Sequence, residues 1–389
     1  MDNSACRLCE SASGGFHFAV NSKLGAQISL CSRCGFVQSN PSSGRAFSAP
    51  GPEIHGDRLS CDADYAPFRV GKAQMLSHQN GALGFCKDRL GKISSIFDAA
   101  GARGDFLRHA LANFQPDSLY VREFSPTMLS ALQVEASLDS RVVVLDGASG
   151  LGEGLPDRQF DLVYSTHSLE HFRRPRAEFT SLAALVAEHG LLLVDVPDVE
   201  QLDIEQAVEE YFYDEHLSYF SLATLQLLAS QSGFVLVYSE RTAGSIVSVF
   251  ARHTQEFRSE EPPLPQLPGI TRYGAALKRN RAALPSRGTT LVQTIRREAN
   301  TQVVAVGCGR KFDAFLTYGG LDISLFTSFA DNFLSRAVPT VRGRKLEALD
   351  SLRLSSPEGV VFVIFANGAE QEISTFLRTR FPRATIVIP

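Results

Sequence analysis

The sequence predicts a protein of the α/β class, with one mainly parallel sheet domain and a second, smaller one. Between residues 93 and 255, short apolar runs alternate with helical stretches, and the same alternation returns after residue 299. Strands that alternate with helices indicate parallel pairing with both faces of the sheet covered. Two Cys-x-x-Cys pairs before residue 35 add a small module that needs a metal to be stable.

The composition is typical of a soluble globular protein. The chain has 389 residues, 44% of them hydrophobic and 21% charged, and this length allows two or three domains. A net charge of -4 gives no general attraction to nucleic acid or to an anionic membrane. No apolar run of about 20 residues and no basic-then-apolar start is present, so we expect a cytoplasmic protein without a membrane partner.

Composition changes along the chain predict five regions. They are a zinc-binding module (1–60), a helical connector (61–92), the larger α/β domain (93–257), a proline-rich linker with a helix (258–298), and a C-terminal α/β domain (299–389). The linker segment Glu260–Gly269 carries four prolines, which favour an extended chain. The helix after it, from Thr271 to about Arg297, is expected to be interrupted near Pro285.

Each element of the two α/β domains is predicted from its local pattern. In the larger domain, ISSIFDA, SLYVREF, VVVLDG, FDLVYS and GLLLVDVP are short apolar runs typical of buried strands, and a helix is predicted at Asp105–Phe114. FVLVYSERT and IVSVFAR are predicted to pair in antiparallel fashion. In the C-terminal domain, strands are predicted at TQVVAVGCG, DISLFTSFAD, GVVFVIFAN and ATIVIP, with helices at Lys311–Tyr318 and Ala369–Arg380.

Four cysteines near the start have the spacing of a zinc site. Cys6 and Cys9 form one Cys-x-x-Cys pair, Cys31 and Cys34 form a second, and 21 residues separate the pairs. Two such pairs complete a closed tetrahedral shell, so we predict structural Zn²⁺ without a catalytic role. A redox-active pair is the alternative, although it would not need the second pair. The remaining cysteines are expected to be ordinary small apolar residues.

The segment Phe160–Pro197, containing FDLVYSTHSLEHFRRP and GLLLVDVP, resembles the second half of a Rossmann-like methyltransferase domain that uses S-adenosylmethionine. Such a domain needs a glycine turn after its first strand, an acidic residue ending the second, and polar groups after the third. We therefore predict a cofactor site whose residues, with the histidine after the fourth strand, are Asp98, Gly101, Gly104, Glu123, Asp146 and His167. Ala100 stands where a glycine is usual, and an ordinary strand-to-helix turn is the alternative.

The segment YFYDEHLSYFS contains the strongest candidate for acid–base chemistry. Tyr213, Glu215 and His216 could bring a phenol, a carboxylate and an imidazole into one pocket. An imidazole removes protons near neutral pH, and a neighbouring carboxylate raises its basicity. Such a group suits a carbon next to a carbonyl, whose proton must leave before the carbon attacks. The alternative is that Glu215 and His216 only cap the following helix.

Taken over nearly its whole length, the chain resembles the nucleotide-sugar C-methyltransferases of deoxysugar biosynthesis. The C-terminal segments VGCGRKFDAFLTYGGLDIS and VFVIFANGAEQEI are similar to segments of that family, although Phe312 replaces a usual glycine. The resemblance implies that His216 is the base that deprotonates C3 of a 4-keto-6-deoxy sugar, that Glu215 supports it, and that Tyr213 steadies the enolate. It also implies substrate contacts from Tyr65, His78, His171, Lys311 and Asn367.

Two other functions remain open on the sequence. The acceptor could be a sugar oxygen or another small metabolite, or the domain could be a degenerate, non-catalytic binding protein, which Ala100 and the altered C-terminal segments would suit. We expect a nucleotide-linked sugar as the partner and a monomer or small homo-oligomer. No basic, aromatic-rich patch surrounds the cysteines, so nucleic acid is not an expected partner.

Overall fold

The computed structural model describes residues 5–11, 16–21, 27–40, 79–102, 104–124, 126–147, 158–202, 212, 216–242, 244–254, 268–298, 302–332, 335, 340–354, 359–366 and 370–389. These residues belong to two compact units, of which the first continues to Tyr273 and the second begins at Gly274. Within the described residues, no helix combines the length and apolar character that crossing a bilayer requires.

The first unit contains eleven of the described strands and five described helices. The strands are β1 (Phe16–Asn21), β2 (Gln27–Cys31), β3 (Val37–Asn40), β4 (Ser95–Asp98), β5 (Ser118–Glu123), β6 (Val142–Asp146), β7 (Phe160–Thr166), β8 (Val186–Pro197), β9 (Ser218–Tyr219), β10 (Phe234–Thr242) and β11 (Ser245–Arg252). The helices are α1 (Asn80–Leu90), α2 (Asp105–Asn113), α3 (Pro126–Ala136), α4 (Pro175–Ala184) and α5 (Leu222–Ser230).

The central sheet has the strand order β10-β11-β8-β7-β4-β5-β6. Strands β4 to β8 are parallel to one another, whereas β11 is antiparallel to both β8 and β10. From β4 the chain first adds β5 and β6 on one side and then β7 and β8 on the other. The boundary between β4 and β7 is therefore the point at which the strand order reverses, where open α/β sheets bind their ligands.

Both faces of the central sheet are buried, which explains the continuous apolar runs of its strands. Alternate residues point to opposite faces, so Phe97 and Val163 belong to one core cluster while Ile96 and Leu162 belong to the other. These observations confirm the predicted α/β class with a Rossmann-like sheet.

The four-cysteine segment packs against one of these faces. Strands β1, β2 and β3 form an antiparallel sheet, which β9 completes as its fourth strand. Cys6, Leu8 and Phe36 are buried in the same core cluster as Phe97. The segment is thus continuous with the core of the first unit.

The second unit is built on a smaller parallel sheet. Its elements are α6 (Pro268–Glu298, which enters this unit at Gly274), β12 (Gln302–Val306), α7 (Arg310–Tyr318), β13 (Ser328–Ala330), β14 (Thr340–Val341), β15 (Arg344–Glu347), β16 (Val360–Ile364), α8 (Glu370–Arg380) and β17 (Thr385–Val387). The strand order is β14-β15-β13-β12-β16-β17, and β14 alone pairs antiparallel among these described strands.

One expectation for this unit is wrong. Helix α6 continues through Pro285 without interruption. A proline inside a helix costs about 3 kcal/mol because it removes a hydrogen bond and crowds the preceding turn. The buried side chains of Leu284, Leu291 and Ile295 pack into the core of this unit, and their burial offsets that cost.

Candidate active site

The candidate site lies at the carboxyl ends of β4, β7 and β8, on both sides of the point where the strand order reverses. Asp98 ends β4 and is fully buried. His167 directly follows β7, and Asp195 lies near the end of β8. Parallel strands bring their carboxyl ends to one edge of the sheet, so residues about 100 positions apart in the sequence become neighbours.

The turn between β4 and α2 is closely packed at both of its predicted glycines. A Cβ atom on Gly101 would lie 2.2 Å from Cγ1 of Val121, so no side chain fits there. Gly104 has a left-handed backbone with φ of 74° and precedes the first residue of α2. Ala102 also has a positive φ, of 45°. The two predicted glycines therefore stand where the backbone needs them, and Ala100 does not prevent the turn.

The acidic residue at the end of β5 already interacts with this turn. The Glu123 carboxylate is buried and accepts hydrogen bonds from the backbone N–H groups of Ala102 and Phe124. Asp146 is its register partner at the end of β6, where it is exposed. Because the Glu123 carboxylate is hydrogen-bonded to the glycine turn, it is placed to accept hydrogen bonds from hydroxyl groups of a ligand bound across that turn.

Behind the turn lies a buried polar network that the sequence analysis missed. The Tyr164 hydroxyl donates to Oε1 of Gln79 at 2.6 Å, and Nε2 of Gln79 donates to Thr166 Oγ1 at 3.1 Å and to Asp195. Thr166 donates to the same Asp195 oxygen at 3.2 Å. Burial raises the pKa of the Asp195 carboxyl above its ordinary value.

His167 lies between two buried carboxylates. Its Nδ1 is 3.4 Å from Oε1 of Glu170, and its Nε2 is 3.7 Å from Oδ1 of Asp195 and 3.3 Å from the Ser245 hydroxyl. The residue has a φ of 43°, which is uncommon for a side chain other than glycine. We predicted His167 as a cofactor residue; the structure places it at the edge of the sheet beside these carboxylates.

Glu170 connects His167 to a second pair of imidazoles. It belongs to a single helical turn, Leu169–His171, and is 1% exposed. Burial opposes its ionisation, but the nearby imidazoles of His167 and His171 lower the pKa of Glu170 below its ordinary value. The imidazoles around this buried carboxylate therefore favour its ionised form.

The imidazole of His216 packs against that of His171, which in turn lies beside the Glu170 carboxylate. The two imidazole rings lie 4.8 Å apart, edge to face, and ligand atoms of Glu170, His171 and His216 all lie within 4.8 Å of one another. Both histidines are half-buried. The helix that follows is capped by Ser221, whose hydroxyl accepts from the Thr224 N–H, so His216 is not its cap. His216 is thus free of a capping role and beside a carboxylate.

Several predicted site residues cannot be placed with this group. Tyr65, His78, Tyr213, Glu215 and Asn367 lie outside the described residues. Lys311 is buried in the second unit, in the first turn of α7. Asp195 and Gln79 were missed, although Asp195 stands in the strand-ending segment LLLVDVP, which was the available signal.

The four predicted cysteines come together as a second cluster. All four sulfur atoms lie within 4.8 Å of one another, with Cys6 Sγ 3.6 Å from Cys34 Sγ and Cys9 Sγ 3.7 Å from Cys31 Sγ. Zinc–sulfur bonds of about 2.3 Å in a tetrahedron place sulfurs about 3.8 Å apart. The cluster therefore has the dimensions of a zinc site, whereas Cys86 and Cys308 are buried and free.

The first unit is thus an α/β domain that brings polar side chains to its strand-order reversal, the edge at which open sheets of this kind bind ligands. Residues 79–239 match the family model of a methyltransferase domain. The match supports a methyltransferase domain in this part of the chain. No curated protein matches the chain significantly.

Solved methyltransferase structures are similar to about half of the chain. An S-adenosylmethionine-dependent methyltransferase from Mesorhizobium loti is 16% identical, with 47% of this chain and 100% of that chain covered and a TM-score of 0.37. Magnesium protoporphyrin IX methyltransferase from Synechocystis PCC 6803, with bound SAH, is 15% identical, with 49% and 86% covered and a TM-score of 0.37. An O-methyltransferase family protein from Burkholderia thailandensis is 15% identical, with 51% and 62% covered and a TM-score of 0.40. These distant likenesses carry no argument about the acceptor.

Proposed function

We propose that the protein transfers a methyl group from S-adenosylmethionine to a carbon atom of a nucleotide-linked sugar, at C3 of a 4-keto-6-deoxy sugar. The observation that supports this is the position of His216 beside His171 and the buried Glu170 carboxylate. These groups lie at the edge of the sheet that also carries the glycine turn. An amine or thiol acceptor would need no such base, whereas a carbon acid does.

In the proposed reaction, the imidazole of His216 removes the proton from C3. The electrons of that C–H bond form the enolate, whose oxygen Tyr213 is proposed to stabilise by donating a hydrogen bond. The enolate carbon attacks the methyl carbon, so that a C–C bond forms and the C–S bond breaks. The ionised carboxylate of Glu170 stabilises the protonated imidazoles nearby, and Glu215 is proposed to support His216 directly.

The residues at the sheet edge fit a bound methyl donor. When bound, S-adenosylmethionine supplies an electrophilic methyl group and a neutral thioether leaving group. Gly101 and Gly104 would let the backbone approach it, and Glu123 and Asp146 would accept hydrogen bonds from its polar groups, with Asp98 and His167 nearby. The lack of space for a side chain at Gly101 comes from its packing against the buried side chains of Val121 and Leu132, which hold the turn close to the sheet.

The remaining assignments follow the same proposal. Zn²⁺ bound by Cys6, Cys9, Cys31 and Cys34 would be structural, because four thiolates leave no open position. Tyr65, His78, His171, Lys311 and Asn367 would contact the nucleotide-linked sugar. Cytoplasmic location and a monomer or small homo-oligomer belong to the same proposal.

A labelled methyl donor with a panel of nucleotide-linked 4-keto sugars tests the activity. We expect His216→Asn to lower turnover by about 100-fold or more, since general-base catalysis is commonly worth 10²–10⁴-fold. His253→Asn is the matched control because His253 is exposed. No label transfer by the wild type, or equal turnover in the His216 variant, would refute the proposal.

Solvent exchange separates carbon from oxygen methylation. In D₂O, the wild type should exchange the C3 proton of the sugar before methyl transfer, and His216→Asn should not. Methylated product without exchange would instead support a sugar O-methyltransferase.

A further inference from the structure

The backbone next to His216 is held from two sides. On one side, the Leu217 N–H donates to the carbonyl of Glu170 at 2.8 Å. On the other side, the Leu217 carbonyl accepts from Nη1 of Arg7 at 2.8 Å and from the Ser39 N–H at 3.1 Å. The two peptide groups on either side of the Leu217 Cα thus connect the cluster of Glu170, His171 and His216 with the four-cysteine segment.

Arg7 stands inside the first cysteine pair. It separates Cys6 from Leu8 and Cys9, so metal binding by both cysteines fixes its backbone. Its N–H donates to Oε1 of Gln38 at 3.0 Å, and Nε2 of Gln38 donates back to the Ala5 carbonyl at 3.3 Å. A guanidinium keeps its charge at all relevant pH values, and charge-assisted hydrogen bonds are about twice as strong as neutral ones.

The residues after Leu217 continue the connection as a strand. Ser218 pairs with Gln38, and Tyr219 pairs with Val37 in the antiparallel sheet of the cysteine segment. The rings of Phe36 and Phe220 pack 5.5 Å apart, and both side chains are fully buried. His216 itself is half-buried and precedes this strand by two residues. Its distance from His171 therefore depends on where the strand is held.

We propose that Arg7 is a positioning residue for His216, and that the four-cysteine segment sets the geometry of the base although it touches no reactant. This inference rests on the proposed function for its catalytic consequence. The positional part stands separately, because it concerns the order of residues 216–220 in the protein without substrate.

The test compares Arg7→Met with Arg33→Met, since Arg33 also lies between the two cysteines of a pair, in this case the second, and is exposed. Three quantities are measured on the full chain: zinc content, amide hydrogen exchange of the peptide 216–220, and turnover with the affinity for S-adenosylmethionine. We expect Arg7→Met to keep its zinc and its donor affinity. Exchange in 216–220 should rise about tenfold and kcat should fall about tenfold, as losing one charge-assisted hydrogen bond would give. Arg33→Met should match the wild type.

Arg7→Lys provides the second variant. It keeps one charged donor, so both effects should be partly reversed, and it replaces Arg7→Met in the comparison if that variant loses zinc. Unchanged exchange in 216–220 for the zinc-loaded Arg7 variant overturns the positioning role. Lost turnover without faster exchange overturns it as well. If the wild type methylates no sugar, the proposed function fails while the exchange measurement still decides the role of Arg7.

Discussion

Gly101→Ala should damage the proposed methyl-donor site through steric overlap with two buried side chains. The added Cβ would lie 2.2 Å from Val121 Cγ1 and 3.0 Å from Leu132 Cδ1, whereas carbon atoms in contact are normally about 3.5–4.0 Å apart. The turn must therefore move away from β5 by roughly 1 Å or more. That movement strains the hydrogen bond from the Gly101 N–H to the Arg122 carbonyl, at 2.9 Å, and the contact of Glu123 with the Ala102 N–H.

Overpacking of this kind costs about 1–3 kcal/mol. For a unit of this size, that corresponds to a Tm lower by roughly 2–10 °C. Affinity for S-adenosylmethionine should fall about tenfold or more, since 1.4 kcal/mol corresponds to a factor of ten. Calorimetry measures both quantities, as thermal unfolding and as heat of donor binding.

Gly84→Ala is the matched control for this substitution. No atom lies within 4 Å of its added Cβ, and Gly84 is inside α1, so alanine should stabilise the helix by about 0.5–1 kcal/mol. Val121→Ala in the Gly101→Ala background removes the clashing methyl group, and the double variant should bind the donor better than Gly101→Ala alone. Wild-type donor affinity and Tm in Gly101→Ala would refute the reasoning.

Three other substitutions follow from buried groups. Burial raises the pKa of Asp195 in the folded protein, so stability is lost as pH rises from the unfolded-state value of about 3.9 through the folded one. Asp195→Asn should therefore raise the Tm at pH 7 but hardly at pH 4, and an equal shift at both pH values in calorimetry would contradict this. Tyr164→Phe leaves the buried Gln79 oxygen without its 2.6 Å donor and should cost about 1–3 kcal/mol, visible as a lower Tm. Cys31→Ser should lose the bound zinc, whereas Cys86→Ala should keep it; metal analysis by mass spectrometry decides, and zinc retained in Cys31→Ser would exclude the four-thiolate site.

Much of the fold was predictable because its signals are local. Runs such as FDLVYS and GVVFVIFAN are β-branched and apolar, and they form β7 and β16 as predicted. The two Cys-x-x-Cys pairs likewise specify their cluster by spacing alone. The interruption expected at Pro285 is wrong because the burial of one face of α6 outweighs the local cost of a proline inside the helix.

The candidate site was predictable only in part, because its remaining contacts are distant in sequence. Gln79 and Asp195 are separated by 116 positions, and no repeating pattern links them. Their contact depends on which strands become neighbours at the sheet edge. The contact between Arg7 and Leu217 spans 210 positions, so only the folded chain reveals it.

The pairing of β3 with β9 also delays completion of the antiparallel sheet during synthesis on the ribosome. Val37 and its partner Tyr219 are 182 positions apart. At typical elongation rates of about 5–20 residues per second, the early segment waits roughly ten to forty seconds for its last strand to emerge. During that interval the edge of β3 is a free template for other chains, and early loading of the metal would protect the nascent segment from aggregation.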